Sequence, residues 1–498
     1  MGSYIHIPNA IDLQEIVNNN FSLSSSQYVK LVMPNKNYKF VRDFLKRPLN
    51  RKDLGVEVGS LNYIDESPYL FIRTQAFQEH SFLLDINKES ALPIMPSVFV
   101  QMNLKEGDVL ISKDSNIGEI IILDKDYPNC MLSGAIYRLP VKDEWRYYLL
   151  ALIKHPIFRE QLDFMVPKGA TIRHAKTKFL DCKIPLPNNN AEKVVYFISL
   201  LTQAIVNKEK IIHHRHIAIL QLIEKELEEN QSNSDFCYNL PKFTEVEELN
   251  RIDTNMYRFY FKKEVFKIVN YRNGSKNIDE LGFKMSRGQN LQVSNIGKSI
   301  YSDEKHPNFY TLVLPKFLSK YGIIDKVKYL GNQNTLKELK EGDLIIGAEG
   351  FEKGRSIVVI EGKSKTITNI HGITIQQEEH NLLKAVFVKC FLDYLRSKGL
   401  IDLFAVGGNG GSLAQKYWTY IPFPNFPEPK QKEIAKLYHN PKEYKTEDFT
   451  LDNFLTKDDE FNSTAGIYEL DKTAKYLKDK LNKAIDDIVN DREVKIEF

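Results

Sequence analysis

From Ala191 to about Asn230 the chain contains neither proline nor glycine. Apolar residues fall at Val194, Ile198, Leu201, Ile205, Ile212, Ile219 and Leu222, in alternating steps of four and three, with Lys208 and Arg215 interrupting the seam. That spacing predicts one coiled-coil-like helix of about 36 residues or more, about 54 Å long at 1.5 Å per residue. A single narrow apolar stripe of that length needs a partner helix. The C-terminal region offers one. A short helix is expected from Pro429 to about His439, with proline in its tolerated first turn. A polar, acidic stretch from Pro441 to Phe461 interrupts. A second helix, capped by Ser463 or Thr464, then carries Leu470, Ala474, Leu477, Leu481, Ile485 and Ile488 on one face. The two helical regions are expected to pack antiparallel; an independent amphipathic surface helix is the alternative.

The remaining pattern is short strands punctuated by glycine and proline, and it occurs twice. Leu104-Lys-Glu-Gly-Asp-Val-Leu-Ile111 recurs as Leu339-Lys-Glu-Gly-Asp-Leu-Ile-Ile346. Ile184-Pro-Leu-Pro-Asn188 recurs as Ile421-Pro-Phe-Pro-Asn425, so the two matches lie 235 and 237 residues apart and keep one register. The same elements are expected between them: a strand pair broken by Gly118 or by Gly350 and Gly354, a lead-in at Ser133-Gly134 or His371-Gly372, and a helical stretch over Tyr147 to Phe164 or Leu382 to Phe404. A glycine loop then precedes each Ile-Pro, where proline ends a strand for want of an N–H. So long a period implies two duplicated domains and excludes a solenoid. The fold class is α+β: two similar mixed α/β domains with twisted, partly barrel-like sheets, separated by long antiparallel coiled-coil helices. The divisions are a lead segment over 1–26, a first domain over 27–187, a central helix over 188–232, a second domain over 245–425 and a C-terminal helical region over 426–498 with the acidic insertion at 441–461.

Composition changes this picture little. The chain has 498 residues, 42% hydrophobic and 27% charged, as globular folding requires. A net charge of +3 does not by itself argue for nucleic acid, so any basic surface must be local. No run of about 18 apolar residues predicts a membrane span, and no apolar signal-peptide core is evident. Four cysteines scattered singly exclude a CxxC zinc site and fit a reduced, cytoplasmic protein with buried thiols.

Candidate chemistry is polar and basic. The run Lys168 to Lys183 holds Lys168, Arg173, His174, Lys176, Lys178 and Lys183 against Asp181, with hydroxyls at Thr171 and Thr177. It could neutralise phosphates, or be a solvated loop. Arg73, Thr74 and Gln75 follow an apolar strand; arginine and glutamine are shaped for bidentate bonding to guanine and adenine, and a structural ion pair for Arg73 is the rival. In the second half Lys284, Ser286, Arg287, Gln289, Asn290, Ser294, Asn295 and Lys298 offer similar groups, against a plain turn. Gly407 to Ser412, including Asn409, could present amides to a phosphate with Lys416 nearby, or simply connect. His213, His214 and His216 lie within the long helix without a fourth ligand and read as a helix face, not a metal site. The two Gly-Lys-Ser strings lack the earlier glycine of a P-loop, and Gly-Gly-Asn-Gly-Gly follows a helix, the wrong order for a dinucleotide fingerprint. Asp343, Glu349 and Lys353 could imitate a nuclease centre, but Asp108 repeats Asp343 and points to a turn.

The paired Leu-Lys-Glu-Gly-Asp turns, Phe71-Ile-Arg-Thr-Gln-Ala-Phe77, the run Lys168 to Pro187 and Arg251-Ile-Asp-Thr-Asn-Met-Tyr257 together resemble the specificity subunit of type I restriction-modification systems, over roughly residues 27–496. The resemblance implies a non-catalytic protein with two target recognition domains, each reading one half of a split double-stranded DNA site. It implies helices that set the gap and dock methyltransferase subunits, two of them, with restriction subunits joining through the complex. S-adenosylmethionine, and ATP with magnesium for restriction, would sit on those partners, leaving no cofactor or metal in this chain. The insertion at 441–461 and the glycine-rich second loop depart from the family pattern. A stand-alone specificity-like protein serving another effector is the alternative, with a nuclease behind it.

Overall fold

The short apolar runs that follow the two Lys-Glu-Gly-Asp turns fold as strands of short ladders. The computed structural model describes residues 4–18, 20–23, 28–87, 90–166, 175–232, 235–350, 353–362, 365–407 and 411–498. Two units are defined by their internal contacts. The first comprises Met1–Lys210, Tyr444–Ser463 and Lys472–Phe498; the second comprises Ile211–Glu443 and Thr464–Asp471.

The first unit runs β1 (Ile5–His6), α1 (Leu13–Asn18), β2 (Lys30–Leu31), β3 (Tyr38–Phe40), β4 (Leu70–Ile72), β5 (Ala91–Pro93), β6 (Val109–Ser112), β7 (Ile120–Ile122), β8 (Cys130–Leu132), β9 (Ile136–Leu139), α2 (Arg146–Lys154), α3 (Pro156–Met165) and β10 (Lys183–Pro185), then the start of α4 (Ala191–Glu229). β6 lies between β7 and β9, antiparallel to both. β4 pairs antiparallel with β5 and parallel with β8, and β3 pairs with β10. Every residue of β6 and β7 is buried, because both faces are covered. Val109, Ile111, Ile120 and Ile122 face a core shared with α2, α3 and α4, whereas Leu110 and Ile121 face the core of β4 and β8.

The second unit continues with α5 (Phe243–Leu249), α6 (Phe259–Val269), β11 (Ser275–Lys276), β12 (Phe283–Arg287), α7 (Val293–Ile296), β13 (Ser299–Ser302), β14 (Tyr310–Val313), β15 (Lys328–Asn332), β16 (Leu344–Gly347), β17 (Ser356–Val358), β18 (Thr366–Thr368), β19 (Gly372–Gln377), α8 (Leu382–Ser397), α9 (Leu400–Leu403), β20 (Ala405–Val406), β21 (Ser412–Leu413), β22 (Phe423–Pro424) and α10 (Glu428–Tyr438). Its pairings repeat the first unit's. β16 lies between β17 and β19, β14 is antiparallel to β15 and parallel to β18, and β11 pairs with β22. β12 and β13 are additions at sheet edges. The duplication read from two short strings therefore extends to the order and pairing of eight strands in each unit, β3 to β10 in the first and β11, β14 to β19 and β22 in the second. The sheets are open, of two to four strands among the described residues, not barrel-like closures.

The repeated turn explains the repeated string. Gly107 and Gly342 adopt φ of 83° and 84°, which glycine alone takes without strain. Asp108 Oδ2 accepts the Lys105 amide at 2.7 Å and Asp343 Oδ2 the Lys340 amide at 2.8 Å, closing equivalent turns.

α4 is continuous over 39 residues. Val194, Ile198, Leu201, Ile205, Ile212 and Ile219 are buried as the stepping requires; past Ile219 the buried positions are Ile223 and Leu227, not Leu222, which is half-exposed. Within the first unit α4 packs against α12 (Ile467–Val489), which follows α11 (Phe454–Asn462). Val194 to Ile205 share one core with Leu477, Leu481, Ile485 and Ile488. Asn188 bonds Asp491 at 2.6 Å and Glu209 meets Lys478 at 2.7 Å, so the two helices run antiparallel there.

Several expectations need correction. Tyr147 to Phe164 is two helices, because Pro156 cannot continue α2 and instead opens α3. Leu382 to Phe404 is likewise split, by left-handed Gly399. Ser463 and Thr464 do not cap α12. α11 occupies that position, Ser463 Oγ donates to the Glu460 carbonyl, and α12 begins after Gly466, whose amide donates to Glu469 Oε2 at 3.1 Å. The acidic insertion is not a polar interruption. Phe454 is buried in the first unit's main core, and Tyr444, Phe449 and Leu451 pack against it.

The seam interruption at Lys208 is a buried ion pair inside the first unit. Its ammonium lies 2.7 Å from Asp458 Oδ1 and donates to Asn462 Oδ1 at 2.6 Å. Tyr444 and Asn462 donate to the two Asp458 oxygens at 2.7 Å each. Burial pushes the Lys208 ammonium's pKa below its ordinary value, with the Asp458 carboxylate opposing the shift.

Candidate nucleic-acid interface

In each unit the same set of chain turns converges at one sheet end. In the first, the turn after β6 is tied to the lead-in of β9 by Lys113 N–H to the Ala135 carbonyl at 2.8 Å, and Ala175 N–H reaches the Lys113 carbonyl at 2.8 Å. Arg73 follows β4 beside Ser133, whose amide donates to the Ile72 carbonyl at 2.9 Å. Asn116 Nδ2 donates to the Thr74 carbonyl at 3.3 Å. The segments carrying Arg73 to Gln75 and Lys176 are thereby tied, through Ser133, Asn116 and Ala175, to the turn at Lys113. Gln75 and Lys176 are exposed, Arg73 is half-buried and Thr74 is buried. Lys113 Nζ is paired with Asp114. Lys178 Nζ donates to the Met165 carbonyl at 2.7 Å. Lys168, Thr171, Arg173 and His174 lie outside the described residues, as does Asn409.

The second unit repeats the framework with different side chains. Ala348 N–H meets the His371 carbonyl at 3.0 Å and Leu413 N–H the Ala348 carbonyl at 2.8 Å. Arg287, at the end of β12, donates through Nη2 to Ser412 Oγ at 2.9 Å and to the Leu413 carbonyl at 3.2 Å. Two expected residues 125 positions apart are thus in contact. Glu349 completes the group, 3.8 Å from Arg287 and 2.8 Å from His371 Nδ1. The result is a partly exposed guanidinium, carboxylate, imidazole and hydroxyl on one edge, which can present both donors and acceptors to base edges.

The other expected residues of this unit do not join that group. Lys284 is paired with Glu378, further along β12. Ser286 Oγ shares a bond with Thr374 at 2.8 Å and accepts from Lys337 Nζ at 2.8 Å. Gln289 Oε1 accepts the Lys337 amide at 3.3 Å, and Asn290 Oδ1 the Gln292 amide at 3.1 Å. Ser294, Asn295 and Lys298 are exposed around α7. Lys416 is exposed, its ammonium 4.8 Å from the Tyr417 ring centre. Topologically, the counterpart of Arg73 to Gln75 follows β14, not β12; the two expected segments lie on different elements.

Four residues of these edges were not anticipated: Lys113, His371 as a side chain, Gly55 and Gly288. A Cβ on Gly55 would lie 2.1 Å from the Ser133 carbonyl oxygen, and one on Gly288 2.1 Å from that of Asn369. Both glycines let backbone press directly on the turn that leads into β9 or β19. The register of the Lys-Glu-Gly-Asp repeat would have pointed to the Lys113 turn.

Asp343, Glu349 and Lys353 do not assemble. Asp343 closes its turn at one end of β16, Glu349 sits past the other end, and Lys353 pairs with Asp402 at 3.3 Å. His213 stacks on Tyr321 with ring centres 4.0 Å apart, and His216 lies 3.7 Å from Asp393. Burial, then the nearby Lys389 cation, holds His216 neutral with a pKa of about 3. Among the described residues no group of three metal-binding side chains occurs, and no helix is long and apolar enough to cross a membrane.

Residues 99–233 match the family described as type I restriction modification DNA specificity domain. The resemblance named from the motifs is thereby borne out for that stretch, which runs from the Lys-Glu-Gly-Asp turn through α4. No curated protein matches the chain in sequence. Three solved structures align over most of it at low similarity. The type I restriction-modification S subunit from M. genitalium shares 13% identity, over 91% of this chain and 97% of that one, with a TM-score of 0.38. A chain from a study of complex assembly and conformational transition of the type I R-M system shares 12%, over 92% and 99%, with a TM-score of 0.28. The HsdS subunit from Thermoanaerobacter tengcongensis shares 13%, over 90% and 97%, with a TM-score of 0.26.

Proposed function

We propose that this chain is the DNA sequence-recognition subunit of a type I restriction-modification complex, reading a bipartite double-stranded target. One observation carries the reading. The stretch that matches a specificity domain lies in the first of two sets of strands with the same order and pairing, which supports reading the chain as two such domains. Each presents one converging edge, with Arg73, Gln75, Lys113 and Lys176 in the first unit and Arg287, Ser412, Glu349 and His371 in the second. Lysines would hold phosphates and set register, while the arginine and amide groups read base edges in the major groove. α4 and α12 would fix the spacing between half-sites. Two methyltransferase subunits would bring S-adenosylmethionine and the adenine-methylating chemistry, and restriction subunits the ATP-dependent cleavage. The chain itself would contribute recognition alone, as a cytoplasmic protein.

The test is selection from random duplexes by the purified chain with its methyltransferase. The reading expects a split consensus. Arg287→Ala should relax one half of it, at a cost of about 1–3 kcal/mol, and leave the other half intact. Equal weakening for all sequences, or a single undivided consensus, would count against it.

A further inference from the structure

A basic cavity lies at the end of β6 opposite the Lys113 turn, roughly 16 Å along the strand from it. It measures about 430 Å³ and belongs wholly to the first unit. Lys46, Arg47, Lys52, Arg138 and Arg146 line it against two acids, Asp53 and Asp108. Asp143, outside the lining, pairs with Lys46 at 2.7 Å and with Arg146, which still leaves two positive charges uncompensated. The two lining acids position arginines. Buried Asp53 accepts from both Arg47 terminal nitrogens at 2.7 Å each, and Asp108 Oδ1 lies 2.9 Å from Arg138 Nη2. Lys52 is exposed and forms no ion pair among the described residues. A Cβ on Gly107 would stand 3.3 Å from Arg146 Nη1, so the glycine lets the turn backbone lie close to that guanidinium.

The duplicated half supplies the control. Its turn closes in the same way, yet Asp343 accepts from Gln376 Nε2 at 3.1 Å where Asp108 pairs with Arg138. A Cβ on Gly342 would meet Gln377 Nε2 at 2.9 Å, not an arginine. The turn therefore forms without cations, and its folding does not account for those gathered in the first unit. Like charges held around one cavity repel one another unless an anion joins them. Guanidinium forks match phosphoryl oxygens, and a phosphoryl group brings a charge of about −1.5 to −2, which meets the two uncompensated cations. The volume is many times the ~30 Å³ share of one water and falls among small-molecule sites, so it has room for more than a lone phosphate. Duplex DNA carries one charge per ~1.7 Å of axis and is matched by cations strung along a surface, whereas these converge on a single concavity. We propose that the cavity binds a small ligand bearing phosphoryl groups, pyrophosphate or a phosphate ester.

The experiment is isothermal titration calorimetry of the full chain in phosphate-free buffer at about 0.15 M salt, with pyrophosphate, orthophosphate and ATP as probes. Pyrophosphate or ATP should saturate a single site per chain, and orthophosphate should bind more weakly. Tighter binding of ATP than of pyrophosphate would assign the ligand to the phosphate esters, and the reverse order to the inorganic anion. Lys52→Glu and Arg146→Ala should each weaken binding by about tenfold or more, and Lys113→Ala, at the far end of β6, should leave it unchanged. Lys52 is exposed and unpaired, so its variant reads the site even if Arg146→Ala loosens α2. No saturable binding of pyrophosphate or ATP, or binding that Lys52→Glu leaves intact, would overturn the proposal. Weakened duplex binding by Lys52→Glu in a chain that takes up neither probe would make the cavity a DNA contact and overturn it equally.

Discussion

Lys208→Met removes the cation from the buried pair that joins α4 to α11 in the first unit. The wild-type site is fully bonded: Lys208 has Asp458 and Asn462, and Asp458 has two further donors in Tyr444 and Asn462. Breaking a buried pair at one partner costs about 3–5 kcal/mol, because the remaining charge is left uncompensated. Which charge remains decides the order. After Lys208→Met the Asp458 carboxylate still accepts from Tyr444 and Asn462, so the loss should lie near 3 kcal/mol. After Asp458→Asn the ammonium keeps Asn462 and two ring faces at 4.9 Å, so the loss should approach 5 kcal/mol. The double variant leaves no charge and should be less destabilised than Asp458→Asn alone. Equilibrium urea unfolding measures all three. A double variant whose loss equals the sum of the singles would refute the argument, since it would mean the two side chains do not interact.

Gly55→Ala and Gly288→Ala should each destabilise its own unit by about 3 kcal/mol, since backbone must move by more than a side chain can yield; a neutral result in thermal melts would show that the carbonyl approach is not close. Burial opposes ionisation of Glu224, but bonds from Lys267, Lys398 and Tyr394 more than offset it and hold its pKa at about 2. A carboxylate depressed in the folded state stabilises it above the unfolded value near 4.5 and loses that effect as pH falls toward 2. Glu224→Gln should therefore cost stability at pH 7 and much less at pH 3; an unchanged gap between the two pH values would remove the carboxylate from the account.

How far the sequence could be read depended on the range of the forces involved. α4 was legible because one stripe of stepped aliphatic residues has one helical solution, and even its flaw at Lys208 fell where a seam position must be. The paired turns were legible because a left-handed glycine followed by an aspartate that caps the turn is a local requirement. The break at Pro156 is also local and was overridden by the apolar run around it. The insertion was misread for the opposite reason: its acids other than Asp458 are exposed, while Tyr444, Phe449 and Phe454 are spaced to no helical or strand period and are buried only in the folded core. The edge proposed to read DNA was half legible. Arg287 and Ser412 each stood out chemically, yet their contact depends on β12 pairing with β19 and on the turn after β16, which three- to six-residue strands do not announce.

Insertion of one heptad in both α4 and α12 is the sharpest test of the proposal that these helices hold two DNA-reading domains at a fixed spacing. Placed after Lys210 and after Asp471, the insertions lengthen each helix by about 10 Å, close to three base-pair steps. Methylated sites would be mapped in cells carrying the altered chain with its methyltransferase. The same two half-sites should appear with a spacer about three base pairs longer; methylation at the original spacing would show that the two helices do not set it.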